Sequence, residues 1–293
     1  MTRQFEDKFI IAGFIISFSS ILMNLVWDTV NPPGVASPMI YNVIVGCIMS
    51  AFTYIHSKRY FGLLKTNVLF FATALITLFM EHYGVVTGEI YGAYHYGTTY
   101  GPKIFNTVPY LIPLSWFMFI YPAVIISNEI LASESSLISF IQKGGKALSI
   151  VLYAALDSII ATTFDILIDP VWTSKGSWFW TELDTLRPEE IFYKIPVQNY
   201  FGWLATTFMI FLIFRAVFFL NKTAFSEKDR LYHLPVFNYI GIFIVGTIQA
   251  WVVLKNPGLT FVSLMTLGFI SLVSLNKILQ FYDDVVDQKW TYS

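Results

Sequence analysis

The stretch EHYGVVTGEIYGAYHYGTTYGPKIFNTVPYLIPLSW, residues 81–116, joins one long apolar run to the next and carries two carboxylates and two histidines among glycines and tyrosines. Polarity beside a membrane span is costly unless it is used, so the ionisable groups here are functional candidates. A second stretch of the same character runs from Asp165 to Trp203. Around these two lie apolar segments near 9–27, 38–55, 66–80, 108–131, 147–168, 200–220, 236–254 and 259–279. Each is close to the ~20 residues a helix needs to cross a hydrocarbon core of about 30 Å. Strand-like alternation is absent, and a backbone in lipid must satisfy its own hydrogen bonds. The sequence therefore predicts an all-α polytopic membrane bundle of about eight transmembrane helices. Residues 1–293 read as one integral membrane domain, with motif-bearing connections at 81–107 and 165–199 and no internal repeat.

Composition agrees. The chain is 56% hydrophobic and 13% charged, with a mean hydropathy of +0.62, about half the charged fraction of a soluble domain. A net charge of −1 offers no face to nucleic acid. Cys47 is the only cysteine, which excludes an internal disulfide and a thiolate metal cluster. Arg3 and Lys8 precede a span that reads as retained rather than as a cleaved signal.

Orientation follows from the basic residues. With eight spans, one side collects Arg3, Lys8, Lys58, Arg59, Lys65, Lys143, Lys146, Arg215, Lys222, Lys228, Arg230, Lys277 and Lys289. The other side keeps Lys103, Lys175, Arg187, Lys194 and Lys255. The positive-inside rule makes both termini cytoplasmic in a multi-pass cell-membrane protein. Both polar stretches then share the non-cytoplasmic side and are expected to meet there. Trp27, Asp28, Asn31 and a Pro-Pro-Gly turn at 32–34 fall on that side too, most simply as a tight loop.

LDSIIATTFDILIDPVW, residues 156–172, sets Asp157, Asp165 and Asp169 on one helical face. Pro170 is expected to end that helix at Asp169. Asp157, about 18 Å deeper, reads as a structural partner in an interhelical hydrogen bond. Glu81 and Glu89 are eight residues apart, near one face if the helix continues. Gly84, Gly88 and Gly92 then make either a close-packing stripe or an irregular backbone lining a cavity. His82 and His95 lack metal-ligand spacing and read as hydrogen-bond partners; no metal is expected. Tyr91, Tyr94, Tyr96, Tyr100, Trp172, Trp178 and Trp180 fit an interfacial aromatic belt. Their concentration around carboxylates also suits protonation of an alkene, because aromatic faces attract cations and an apolar site keeps a carboxylic acid protonated.

EHYGVVTGEIYGAYHYG, Gly101-Pro102, VPYLIPLSW at 108–116, DILIDPVWTSKGSWFW and IPVQNYFGW at 195–203 together resemble the carotenoid hydratases of the bisanhydrobacterioruberin hydratase type. The resemblance runs from about Glu81 to Arg215, with its segments in family order; Ile90-Tyr91 stands where relatives often carry Pro-Phe. It implies a hydro-lyase, independent of cofactors, that adds water to the terminal isopropylidene double bond of a linear carotenoid. C50 bisanhydrobacterioruberin and C40 ends such as those of lycopene or γ-carotene are the implied substrates. The acidic positions fall on Glu81, Glu89, Asp165 and Asp169. Tyr91, Tyr94, His82, His95, Trp172, Trp178 and Asn199 are the implied substrate contacts. The implied partners are the carotenoid, the bilayer and other carotenoid-pathway membrane enzymes.

Two other classes compete. Asp165-x-x-x-Asp169 invites comparison with membrane prenyltransferases that hold diphosphate through magnesium, but the second acidic cluster, Asp283, Asp284 and Asp287, falls on the opposite side. A carotenoid-binding or transport protein is the other, against which stands the lack of repeated interrupted helices.

Overall fold

The computed structural model describes residues 3–31, 35, 37–98, 100–132, 144–221 and 228–290. The Pro-Pro-Gly turn at 32–34 lies outside these residues. Seven helices among them are long and apolar enough to cross a membrane, and the chain is a multi-pass helical membrane protein. They are α1 (Arg3–Val30), α2 (Met39–Thr87), α3 (Leu111–Ala132), α4 (Gly145–Thr173), α5 (Val197–Leu220), α6 (Leu234–Val253) and α7 (Pro257–Asp283). Large apolar side chains such as Leu75, Phe79 and Val86 point outward, as a lipid-facing surface requires. Helix α3 is the central post, with 83% of its apolar window buried.

Helix α2 has 49 residues, about 74 Å if straight and more than twice the hydrocarbon thickness. It is not straight. Gly62 has φ 79° and ψ 164°, a backbone conformation that glycine adopts without penalty. Ser57 and Thr66 hydroxyls meet at 2.9 Å, and Tyr54 Oη donates to Asn67 Oδ1 at 2.6 Å. Nine residues of continuous helix would separate Ser57 from Thr66 by about 13.5 Å, so the chain doubles back at Gly62. The apolar runs at 38–55 and 66–80 are the two arms of this hairpin.

Short strands connect the helices. β1 (Tyr94–Tyr96) pairs antiparallel with β4 (Trp178–Trp180), so the two polar stretches do meet. β2 (Lys103–Ile104) pairs with β3 (Val108–Pro109), and β5 (Ile191–Phe192) with β6 (Ile195–Pro196). Helix α4 does not stop at Asp169: it continues through Pro170 to Thr173, because so near the helix end the missing N–H forfeits one bond only.

The architecture corrects the expectation of no repeat. The second arm of α2, β1, the β2–β3 hairpin and α3 form one unit; α4, β4, the β5–β6 hairpin and α5 form another. Ile104-Phe105, Val108-Pro109 and Trp116 recur at the same spacing as Ile191-Phe192, Ile195-Pro196 and Trp203. Glu81 stands thirteen residues before Tyr94, and Asp165 thirteen before Trp178. Gly92 and Gly176, each two residues before its strand, have φ 86° and 77°. The β1–β4 register, Tyr94 with Trp180, His95 with Phe179 and Tyr96 with Trp178, is the one that exchange of equivalent strands by a twofold rotation demands. Trp116 and Trp203, equivalent residues, stack on one another with centroids 3.7 Å apart. Such parallel repeats are related by an axis along the membrane normal. The sequence hides the relation because only short turn segments keep their residue types.

Candidate active site

Each unit brings a buried carboxyl site to the top of the bundle, Glu81 in the first and the Asp165–Asp169 pair in the second. In the first, α2 ends on Gly88 in the left-handed conformation, its N–H returning to Gly84 O at 2.8 Å. The chain then turns through Gly92 into β1. Side chains alternate along a strand, so Tyr94 and Tyr96 point inward while His95 faces out and stacks on Phe179. Both phenols donate to Glu81 Oε2, that of Tyr96 at 2.6 Å, and Trp116 Nε1 donates to Oε1 at 2.9 Å. Burial, reinforced by the neighbouring Glu81 charge, pushes both phenols well above the usual tyrosine range. They therefore stay protonated and act as donors.

In the second unit Asn199, in the first turn of α5, gives one amide hydrogen to Asp165 Oδ2 at 2.8 Å and the other to Asp169 Oδ2 at 2.5 Å. All three side chains are at most 3% exposed. Asp165 Oδ1, Trp178 Nε1 and the Tyr200 hydroxyl are buried without a hydrogen-bond partner.

One cavity of about 510 Å³ joins the two carboxyl sites, lined by Glu81, Asp169 and Asn199 and walled by aromatic rings. Tyr91, Tyr94, Trp172 and Trp178, expected from the sequence, are in that wall. Tyr91 is held by a 2.8 Å hydroxyl contact to Thr206. Among the described residues, no lysine or arginine lines the cavity. Asp165 sits behind Asp169, off the cavity surface.

Three candidates lie elsewhere. Glu89 is exposed and accepts from Tyr83 at 2.6 Å, because the helix has ended at Thr87. His82 contacts the Thr107 hydroxyl at 2.8 Å, and His95 lies on the outer face of β1. Asp157 is a structural partner: Arg215 spans its carboxylate with Nε at 2.6 Å and an Nη at 2.7 Å, while Ser127 donates at 2.5 Å. Sequence reasoning counts Tyr96 and Trp180 among the aromatics near the carboxylates without giving them a place in the site, and it misses Trp116 and Trp203. Strand alternation would have given Tyr96, and the matched spacing of the two Val/Ile-Pro segments would have given the tryptophan pair.

A polytopic membrane protein with paired acid sites in an aromatic cavity is thus in hand, and residues 38–270 match the carotenoid biosynthesis protein family. The chain belongs to that family. Among named relatives, the bisanhydrobacterioruberin hydratase of Haloarcula japonica is 29% identical over 150 residues. That match takes in 51% of this chain and 45% of the relative, so less than half the relative's length is represented. No solved structure matches the chain.

Proposed function

We propose that the protein is a carotenoid hydratase that adds water across the terminal isopropylidene double bond of a linear C40 or C50 polyene. The observation that carries this reading is the opposition, across one aromatic cavity, of two unlike carboxyl sites. Two carboxyl groups on one amide nitrogen, with no cation beside them among the described residues, cannot both be charged, so the pair shares a proton. Asp169, at the cavity surface with Asp165 behind it, is the acid. Glu81, whose two oxygens are held at the cavity wall by three neutral donors, is the base.

Asp169 gives its proton to the CH carbon of the double bond, and the π electrons form the new C–H bond. The positive charge is left on the dimethyl carbon, a tertiary cation facing Trp172, Trp178 and Trp203, whose ring faces stabilise it. Water, oriented by Glu81 and the Asn199 carbonyl, attacks that carbon and loses a proton to Glu81. Return of that proton to the aspartate pair closes the cycle, with one water consumed and no redox change. No cofactor enters these steps.

Each arm of α2 is read as a separate crossing, which gives eight crossings, cytoplasmic termini and both strand-bearing connections on the opposite side. The bilayer is the solvent from which the substrate is drawn.

The test is expression in cells supplied with acyclic C40 and C50 carotenoids, with pigments resolved by chromatography and mass spectrometry. A gain of one water per modified end is expected, and its loss in Asp169→Asn and Glu81→Gln. Unmodified pigment with folded wild-type protein overturns the reading. A product longer by a prenyl unit assigns the chain to the transferases instead.

A further inference from the structure

The two units break their symmetry at one place, and a second chamber opens there. In the first unit Tyr91 packs on Gly202 so closely that a Cβ on that glycine would lie 2.6 Å from the tyrosine ring. Trp203 and Trp116 are equivalent, so Gly202 corresponds to Ser115; Gly92 and Gly176 are equivalent, so Tyr91 corresponds to Lys175. By symmetry Lys175 should cover Ser115. Instead it turns away to Asp28 of α1, Nζ to Oδ2 at 2.5 Å, where Gln249, opening the π-turn of α6, also donates. The space beside Ser115 is left open. It forms a chamber of about 950 Å³ between α1, the first arm of α2, α3, α4 and α6.

This chamber adjoins the acid cavity: Ser115, Phe119, Ile168 and Trp172 face both. Its walls are mostly apolar side chains such as Ile21, Val45, Met49, Leu167, Val171 and Val245. Its outer end, at Asn24 and Tyr41, is only half-buried and lies between α1 and α2. The 510 Å³ acid cavity is small beside this chamber.

We propose that the hydrocarbon body of a linear polyene lies in this chamber, entering between α1 and α2, with its end group passed between Phe119 and Trp172 into the acid cavity. The Asp28–Lys175 pair is the strut that holds the passage open, and Lys175 is a specificity-determining position. The hydratase reading supplies the chemical class of the ligand; the place and direction of entry come from the broken symmetry.

Two measurements test this on the full chain in membranes. Lys175→Tyr copies the residue at the equivalent place, and Val45→Trp fills the chamber from α2. Each should lower the ratio of kcat/KM for a long acyclic polyene over a short isoprenoid with the same end group at least tenfold. Val45→Cys in a Cys47→Ser background tests occupancy without bulk: an acyclic C40 polyene should slow alkylation of the new thiol at least fivefold. Native Cys47, exposed on α2, is the control and should react at the same rate with and without the polyene. Protection of position 45 alone supports the proposal, and its absence overturns it, whether or not the bulky variants fold. If the Val45→Cys chain is protected while the wild-type chain hydrates nothing, the hydratase reading is refuted and the chamber assignment stands.

Discussion

The two units share a scaffold and differ in how each treats its buried carboxyl group. Glu81 and Asp165 occupy equivalent places, yet Glu81 is surrounded by two phenols and an indole, whereas Asp165 has a second carboxyl group and one amide. The additions to the second unit are Asp169 and Asn199, which stand where the first has Val85 and Ile112. A third difference lies deeper: the Asp157–Arg215 ion pair replaces Thr73 and Asn128 of the first unit. Carboxylates spanned by a guanidinium are spent on packing. Those given only neutral partners beside a cavity keep their proton chemistry available.

The largest effect should come from erasing the added carboxyl group. Asp169→Asn should cut turnover about 10²–10⁴-fold, the usual worth of a positioned general acid, with the unfolding temperature little changed. A variant of undiminished rate would return the acid's role to Glu81. Next in size is the ion pair. Arg215→Met leaves a fully buried Asp157 unpaired and should destabilise the fold by about 3–5 kcal/mol, read by denaturation in detergent. Installing the first unit's pair, Asp157→Thr with Arg215→Asn, should recover most of that loss. If it does not, the units are not interchangeable at that depth.

Tyr96→Phe removes one of three donors to Glu81. Hydrogen bonds to charged groups are worth about 1.5–3 kcal/mol, so kcat should fall about 10–100-fold if Glu81 is the base. An unchanged rate would mean that Tyr94 and Trp116 suffice. The smallest effect separates the equivalent small residues. Gly202→Ala drives a methyl group into Tyr91 and should cost about 1–3 kcal/mol of stability. Ser115→Ala at the equivalent place, with open space beside it, should cost less; equal costs in thermal denaturation would contradict the asymmetry.

Most of the helices were legible in the sequence because hydropathy over twenty residues is a strong signal. The doubling of α2 was legible only as two runs, since one glycine carries the bend. Of the site, Glu81, Asp169, Asn199, Tyr91, Tyr94, Trp172 and Trp178 were read from motif and resemblance, and the structure places them around one cavity. Glu89 was misplaced by extending a helix past its left-handed Gly88. His95 was misplaced because spacing along the chain does not reveal which face of a two-sided strand a residue takes, and His82 because its helix turns it to Thr107 instead of the cavity. The twofold relation escaped because its anchors are three short segments separated by connections of unequal length, and hydropathy does not register them.

The pairing of β1 with β4 also fixes the order in which the protein can be made. Glu81 and its three donors lie within residues 81–116, so that half is complete once α3 has left the ribosome. The opposite wall waits for Trp178, Asn199 and Trp203, and closing it joins segments more than eighty residues apart. Contacts of such separation form late, after the loop between them has been restrained. Until synthesis has passed α5, the nascent chain carries Glu81 with its donors complete and an aspartate pair still waiting for Asn199 to join it.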